Sequence, residues 1–436
     1  MKLRSLTSSV VCGCCVVSAA AEPTIEFLPA GYILTDLAIG GTVGVGNVSG
    51  DYSYETFLWA PLPSARNEVM RLGLATAPVI GVGAGTPDIS YDGTRVSASI
   101  LSSDNRMTQG IWSSSGWTET MPPLPPNGVL LDQSYGSAWG LSGDGQAVTG
   151  FHWGVVDEYT RARPSQWSPT SGMIGLPNSA ERSARVNAAD YDGSVVVGWE
   201  EGPGGVWRPT AWRNGTKLLV QDTPAFCEGM GVNFDGSVIV GMTWDGATSL
   251  REAAVWAWNG VSYELQFHGA LSGTIPNLGF AYLESVSDDG SIAVGSNSYL
   301  HVPSSPRDGL VWTSGGGLVR ASDYIAALGL SSQFPDGMLI TDMVAVSPDG
   351  SAMTGIGMLT SGEFQSFVIH LALPPCFGDA DGNRNANFDD ILTILANFGA
   401  RVPVFTSGDA NGNTSVDFDD ILAVLANFNS DCSPAQ

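Results

Sequence analysis

One short run returns along most of this chain: Asp-Gly, then Ser or Thr, then β-branched residues that end on a small one. It is clearest in Tyr191-Asp-Gly-Ser-Val-Val-Val-Gly198 and Phe234-Asp-Gly-Ser-Val-Ile-Val-Gly241. Further copies centre on Asp92-Gly93, Asp144-Gly145, Asp289-Gly290 and Asp349-Gly350, and a worn one is Gly40-Gly-Thr-Val-Gly-Val-Gly46. Some eighteen to twenty-two residues after each core comes an aromatic position: Trp59, Trp112, Trp167, Trp212, Trp256 and Trp312, with Ile369 in the last copy. Asp-Gly before a β-branched run signals a tight hairpin, because the turn needs positive φ, where Gly carries no steric cost. The Trp on a later strand is a large apolar filler between stacked sheets. A unit of about fifty residues is the size of one propeller blade. The chain therefore reads as all-β, a seven-bladed β-propeller, with six or eight blades as alternatives if the worn first copy misleads.

The ends fit ring closure. The last copy stops after its aromatic strand at Leu371, and residues 24 to 39 supply the missing half unit, with Leu28-Pro29 matching Leu176-Pro177. A chain that starts and ends mid-unit can pair its first strand into its last blade and hide a sheet edge that would otherwise invite aggregation. With its Trp strand and Ser-x-Asp-Gly-x-x-Val-Gly run, the unit resembles the extracellular HAF-type repeat. That resemblance implies a location outside the cell more than an activity.

A second duplication follows the repeats. Two twelve-residue loops, Asp379 to Asp390 and Asp409 to Asp420, each precede nearly the same apolar segment, Ile391-Leu-Thr-Ile-Leu-Ala-Asn-Phe398 and Ile421-Leu-Ala-Val-Leu-Ala-Asn-Phe428. Oxygen-bearing residues fall at positions 1, 3, 5, 7, 9 and 12: Asp379, Asp381, Asn383, Asn385 (through its carbonyl), Asn387 and Asp390. The second loop repeats the register with Asp409, Asn411, Asn413, Ser415, Asp417 and Asp420. A cation of calcium's size takes roughly six to eight oxygens on a flexible frame, and EF-hand loops supply them at this spacing. Asx-rich turns that merely cap two helices are the plainer alternative, but two loops in one register favour calcium, two ions in all.

The loops differ from the ordinary EF-hand: position 12 is Asp, position 6 is Arg384 or Thr414 rather than Gly, and no helix pattern precedes either. Such a loop-then-helix duplicate resembles the dockerin type I module, which docks onto cohesin domains. The family pattern is met by Gly378-Asp-Ala-Asp-Gly-Asn-Arg-Asn-Ala-Asn-Phe-Asp-Asp-Ile391 and Gly408-Asp-Ala-Asn-Gly-Asn-Thr-Ser-Val-Asp-Phe-Asp-Asp-Ile421, with Asn in place of Asp at position 5 in both. The resemblance implies that positions 10 and 11, here Phe388-Asp389 and Phe418-Asp419, help choose a cohesin-like or cell-surface partner. Helical spacing predicts that Ile391, Leu392, Leu395 and Phe398 pack on Ile421, Leu422, Leu425 and Phe428, while Asp389 and Asp419 suit a helix N-terminus. So small a module needs staples. Besides the metal there are Cys376 and Cys432, which bracket the pair of repeats; if joined, they would add about 4 kcal/mol in the chain-entropy model.

The N-terminus reads as a secretory signal over residues 1–21: Lys2 and Arg4, an apolar stretch from Leu6 to Val17, and Ala19-Ala20-Ala21 before Glu22. A lipoprotein signal fits Val11-Cys12-Gly13-Cys14 only in part. The propeller then spans 22–373 and the dockerin-like domain 374–436. An oxidising compartment suits the bracketing cysteines, leaving Cys227 as a small buried hydrophobe. Nothing after the signal is long and apolar enough to span a membrane. The formal charge of −25 opposes nucleic acid, although only 14% of residues are charged and the acidity reflects a shortage of bases.

No nucleophile elbow, phosphate loop or zinc-protease motif is present. His152, His268, His301 and His370 are scattered, and Gly81-Val-Gly-Ala-Gly85 reads as a glycine-rich strand. The repeated Asp before Gly reads as a turn former. A pair of carboxylates would suffice for a glycosidase, but Glu55, Glu68, Glu158, Glu181, Glu200, Glu201, Glu228, Glu252 and Glu284 lie outside the repeat core and are expected at the surface. The expectation is a secreted, non-catalytic propeller that binds protein or glycan and is held in an assembly by its tail. The alternative is a polysaccharide-degrading hydrolase or lyase carrying the same tail.

Overall fold

The Asp-Gly turn sets the geometry of every unit. In the turn at Ser287 to Ile292, Gly290 has φ +70° and its N–H returns to the Ser287 carbonyl at 2.9 Å. Ser287 Oγ donates to Asp289 Oδ1 at 2.7 Å, and that same oxygen accepts from Ser291 N at 2.9 Å. The repeated Asp is thus a turn former, as its sequence context implies.

This computed structural model describes residues 23–48, 55–62, 65–72, 85–121, 128–131, 134–156, 158–179, 181–300, 306–371, 378–381, 385–402, 408–411 and 415–429. Each turn joins the first two strands of a four-stranded antiparallel meander. The best-formed one runs Ala184–Ala189, Val195–Glu201, Trp207–Arg213 and Thr216–Leu219. Among the described residues there are five four-stranded sheets and one of eight strands, the latter being two meanders that touch at a single parallel bridge, Arg251 to Phe280. In the last sheet the fourth strand comes from the other end of the chain. Thr24–Phe27 pairs antiparallel with Phe364–His370, Thr24 opposite His370 and Phe27 opposite Phe367, which covers an edge as the half-unit arithmetic anticipates.

The third strand of each sheet carries the aromatic position into the space between sheets. Trp59, Trp212, Trp256, Trp312 and Ile369 are buried there, and Trp112 and Trp167 are half-buried. The second glycine of the core has its own cause: a Cβ on Gly198 would lie 2.0 Å from the Arg185 carbonyl, and the clash recurs at Gly46, Gly150, Gly241 and Gly295. The first strand is pressed so closely onto the second that no side chain fits between them.

The turns also bond to one another in sequence. Ile39 N donates to Tyr91 O, Tyr91 N to Gly143 O, Asp144 N to Tyr191 O and Tyr191 N to Phe234 O. Asn233 Nδ2 donates to Asp288 O, Asp288 N to Pro348 O, and Gly40 N to Asp349 Oδ1, which brings the series back to its start. The first strands of the sheets thereby line a common axis. Among the described residues the body has one α-helix, α1 (Ala321–Ala327), which packs Ala321 and Ile325 against Val311 and Met343; it interrupts the expected all-β pattern where the sixth unit leads into the seventh.

Beyond the repeats, α2 (Phe388–Asn397) and α3 (Phe418–Ala426) each follow one acidic loop. Their shared core is Ala380, Ile394, Ala410, Val416 and Val424, with Ile391 and Ile421 partly buried beside it. The expected packing face is therefore corrected. Leu392, Leu395, Phe398, Leu422, Leu425 and Phe428 are exposed, as are Phe388 and Phe418. Each helix has two apolar stripes, and helical spacing alone does not say which one the loops turn inward.

Candidate calcium loops and the axial cavity

In the first loop the carboxylate oxygens of Asp379, Asp381 and Asp390 lie within 4.8 Å of one another. Asp390 is fully buried: its Oδ1 accepts from Ala380 N at 2.7 Å and Asp381 N at 3.1 Å, and its Oδ2 from Asn387 N at 2.7 Å. Asn387 in turn caps α2 by accepting from Asp389 N at 2.7 Å, so Asn387 and Asp390 form a reciprocal capping box. The second loop repeats this atom for atom. Asp420 accepts from Ala410 N at 2.8 Å, Asn411 N at 3.2 Å and Asp417 N at 2.8 Å, and Asp417 caps α3. Asp409 and Asp420 are both fully buried.

The donors so gathered are all oxygen, which suits a hard divalent cation over a soft one. Asn385 and Ser415 hold position 7, and Ser415 bridges to Arg401. Asn383, Asn413, Cys376 and Cys432 lie outside the described residues, as do the proposed signal segment and His301.

Sequence reasoning missed a second concentration of chemistry. The first strand of several sheets carries a bulge where two residues face one on its neighbour, and the extra residue is Thr35, Trp139, Asn187, Met230 or Glu284. A bulge breaks the two-residue alternation and re-aims a side chain. These five residues all line an axial cavity of about 170 Å³, together with Asp36, Asp88 and Arg185.

The cavity wall is polar and strongly organised. Arg185 stacks 3.5 Å from the Trp139 ring centroid, donates from Nη2 to Glu228 at 2.9 Å and from Nε to Asn187 at 2.7 Å. Asp36 and Asp88 line the same cavity. Asp36 Oδ2 accepts from Ile89 N at 3.0 Å, and Asp88 Oδ2 from Leu141 N at 2.7 Å. Desolvation raises both carboxyl pKa values, and for Asp36 the neighbouring Asp88 raises it further. Glu284 is pushed up to about 8, first by desolvation and then by Asp342. At neutral pH this wall therefore holds a protonated Glu284 beside the Arg185–Glu228 pair.

The expectation that the scattered glutamates lie at the surface is corrected for several of them. Glu284 lines the cavity, and Glu228 holds Arg185. Glu200 is buried against Lys217 at 2.8 Å, and Glu252 is buried against His268. Each lies on a strand or the loop leading into one, where a basic partner or a bulge draws it inward. Cys227 is fully buried, as expected, and burial pushes its thiol up to about 12.

Comparison with solved structures places this architecture among propeller-like proteins. An oligogalacturonate lyase in complex with manganese matches with TM-score 0.50 and 11% identity, over 81% of this chain and 98% of that one. The β-propeller domain of Cps50 (Swd1) from Myceliophteria thermophila matches with TM-score 0.48 and 10% identity, over 79% and 99%. TolB from Acinetobacter baumannii matches with TM-score 0.38 and 10% identity over 76% of this chain; the match spans 65% of that protein's length. At these identities the likeness is one of fold alone. No protein-family model matches the chain, and no curated protein matches it.

The signal that could have exposed the axial residues is weak but physical. Trp139, Asn187, Met230 and Glu284 stand five residues before the Asp of an Asp-Gly turn, and Thr35 stands five before Gly40, each in the first strand of its unit, where a bulge breaks the alternation. No residue type recurs there, so a search for repeats passes over the position that faces the axis.

Proposed function

We propose that this chain is a secreted, non-catalytic ring of seven blades that binds protein or glycan through its loops, attached to a surface or multi-protein assembly by a dockerin-like tail. The observation that carries the reading is the acid cluster of Asp379, Asp381 and Asp390, with the same backbone cradle repeated around Asp420. Calcium at each loop would supply the positive charge that balances these carboxylates and tie the loop to the helix behind it. The exposed stripe of Phe388, Leu392 and Leu395 and its twin of Phe418, Leu422 and Leu425 give the tail two similar apolar faces for a cohesin-like partner. The seven turns and the borrowed strand Thr24–Phe27 support ring closure.

The test is calcium titration of the full chain by calorimetry and circular dichroism, followed by capture on immobilised cohesins. Two ions per chain and a loss of helical signal in chelator are expected. A helical signal indifferent to chelator would overturn the reading of the tail.

One observation favours a second reading, a polysaccharide-degrading enzyme. Glu284, with its pKa pushed up to about 8, borders a cavity that Asp36 and Asp88 also line, and a carboxylic acid held protonated at neutral pH is what a general acid requires. Hydrolysis or cleavage of an acidic or neutral glycan that disappears in Glu284→Gln would decide for it.

A further inference from the structure

The fifth unit carries a mixed donor set at the outer end of its strands. Asp245 closes the strand Val238–Asp245, Glu252 opens Leu250–Trp258, and His268 stands near the end of Tyr263–Gly269. Register puts all three on one face. Thr243 lies opposite Glu252, Ala254 lies opposite His268, and Asp245 and Ala254 each stand two residues along from a member of the first pair. One ligand atom from each of Asp245, Glu252 and His268 lies within 4.8 Å of the others.

The local hydrogen bonds hold these groups in place. Asp245 accepts from Ala247 N at 3.0 Å and Thr248 N at 3.2 Å. Thr248 Oγ1 reaches Asp245 Oδ2 at 2.8 Å and Glu252 Oε1 at 3.1 Å, and His268 Nδ1 lies 2.5 Å from Glu252 Oε2. Glu252 is only 5% exposed, whereas the His268 side chain is 44% exposed, so the set is anchored inside and open on one side. Thr243 adds an independent sign. It is buried directly across the ladder from Glu252, on the same face, and its Oγ1 has no hydrogen-bond partner. A buried hydroxyl left unpaired calls for an ion or a water that the side chains themselves do not supply.

We propose that Asp245, Glu252 and His268 form a binding site for a borderline divalent cation of the zinc class, distinct from the oxygen-only loops of the tail. Two carboxylate oxygens and an imidazole nitrogen are three ligands of a tetrahedral site, and a water would take the fourth position. The histidine nitrogen is what separates this site from calcium chemistry. Binding would replace the His268–Glu252 hydrogen bond with two metal bonds and open the contact to about 3.3 Å, the span of two bonds of about 2 Å at a tetrahedral angle.

Cobalt(II) is the probe, titrated into the full chain with calcium in excess to occupy the tail. Expected are one cobalt ion per chain with the visible absorption of a four-coordinate site, its displacement by zinc, and a rise in the melting temperature of the body with zinc. His268→Ala and Asp245→Asn should each weaken binding at least tenfold, while Asp390→Ala leaves the spectrum unchanged. His268→Ala changes an exposed side chain, and circular dichroism would verify that both variants fold. Absence of the cobalt spectrum, or a spectrum that survives His268→Ala, would overturn the proposal and leave Glu252–His268 as a hydrogen-bonded pair only.

Discussion

Tyr91 donates its phenolic proton to Asp288 Oδ1 at 2.5 Å, joining residues 197 positions apart in the chain. One sits in the turn of the second unit and the other in that of the sixth, so the bond crosses the axis that the turns surround. Desolvation raises the Asp288 pKa well above the carboxylate range, repulsion from Asp349, Asp289 and Asp235 adds to it, and the tyrosine hydrogen bond opposes them. Tyr91→Phe removes that donor and leaves a buried carboxyl oxygen unpaired. The expected cost is about 1–3 kcal/mol, read as a lower midpoint in urea unfolding of the body. An unchanged midpoint would mean that the cross-ring bond contributes nothing.

Gly198→Ala should be far more damaging than its size suggests. The added methyl would meet the Arg185 carbonyl at 2.0 Å, backbone against backbone, and the inner strand that carries Arg185 and Asn187 would have to move. A loss above about 2 kcal/mol is expected, the scale of overpacking a tight core. Gly175→Ala is the control, because no atom lies within 4 Å of its added methyl. Equal melting temperatures for the two variants would refute the close-approach account of the repeat.

Asp190 gives a pH dependence of definite sign. It is 2% exposed, and desolvation pushes its carboxyl up to about 7. Below the ordinary carboxylate range it is protonated in both folded and unfolded chains. As pH rises toward 7 the unfolded chain ionises first, the folded state holds the extra proton, and stability falls. Asp190→Asn cannot ionise, and Asn233 occupies the matching place in the next turn, bonded to Val238 N at 2.8 Å. The variant should be more stable than the parent at pH 8, by something on the order of 1–4 kcal/mol, and should lose that advantage toward pH 4. Thermal melts at the two pH values decide it.

The turn chemistry, the interleaved tryptophans and the borrowed strand Thr24–Phe27 were legible in the sequence because each depends on a local rule repeated several times. The axial wall was not. Glu284 and Trp139 face the cavity because a bulge shifts the alternation by one residue, and nothing in Leu283-Glu284-Ser285 announces where the ladder slips. The tail was legible in its two acidic loops and the helices behind them, but not in its packing. Leu395 and Ile394 are equally apolar neighbours, and only the folded loop decides that Ile394 turns inward, onto Val424, while Leu395 is left 55% exposed. The Asp245–Glu252–His268 set was invisible for a third reason: its members come together across three strands, with no spacing that a motif could capture.

Asp420→Ala tests whether the tail folds as a unit apart from the body. The substitution removes the acceptor for three backbone N–H groups, those of Ala410, Asn411 and Asp417, along with one carboxylate of the acidic loop. Each orphaned N–H in a dry site costs about 1–3 kcal/mol, more than a core as small as Ile394, Val416 and Val424 can offset. Because Val424 packs on Ile394, α2 should unfold together with α3. In scanning calorimetry with calcium present, the tail transition should vanish in the variant while the main transition of the body stays within about 1 °C of the parent, since the loss of a separately folding unit shifts no contact within the sheets. A body transition that moved with the tail would show that the two parts share stability and that the division near residue 374 is misplaced.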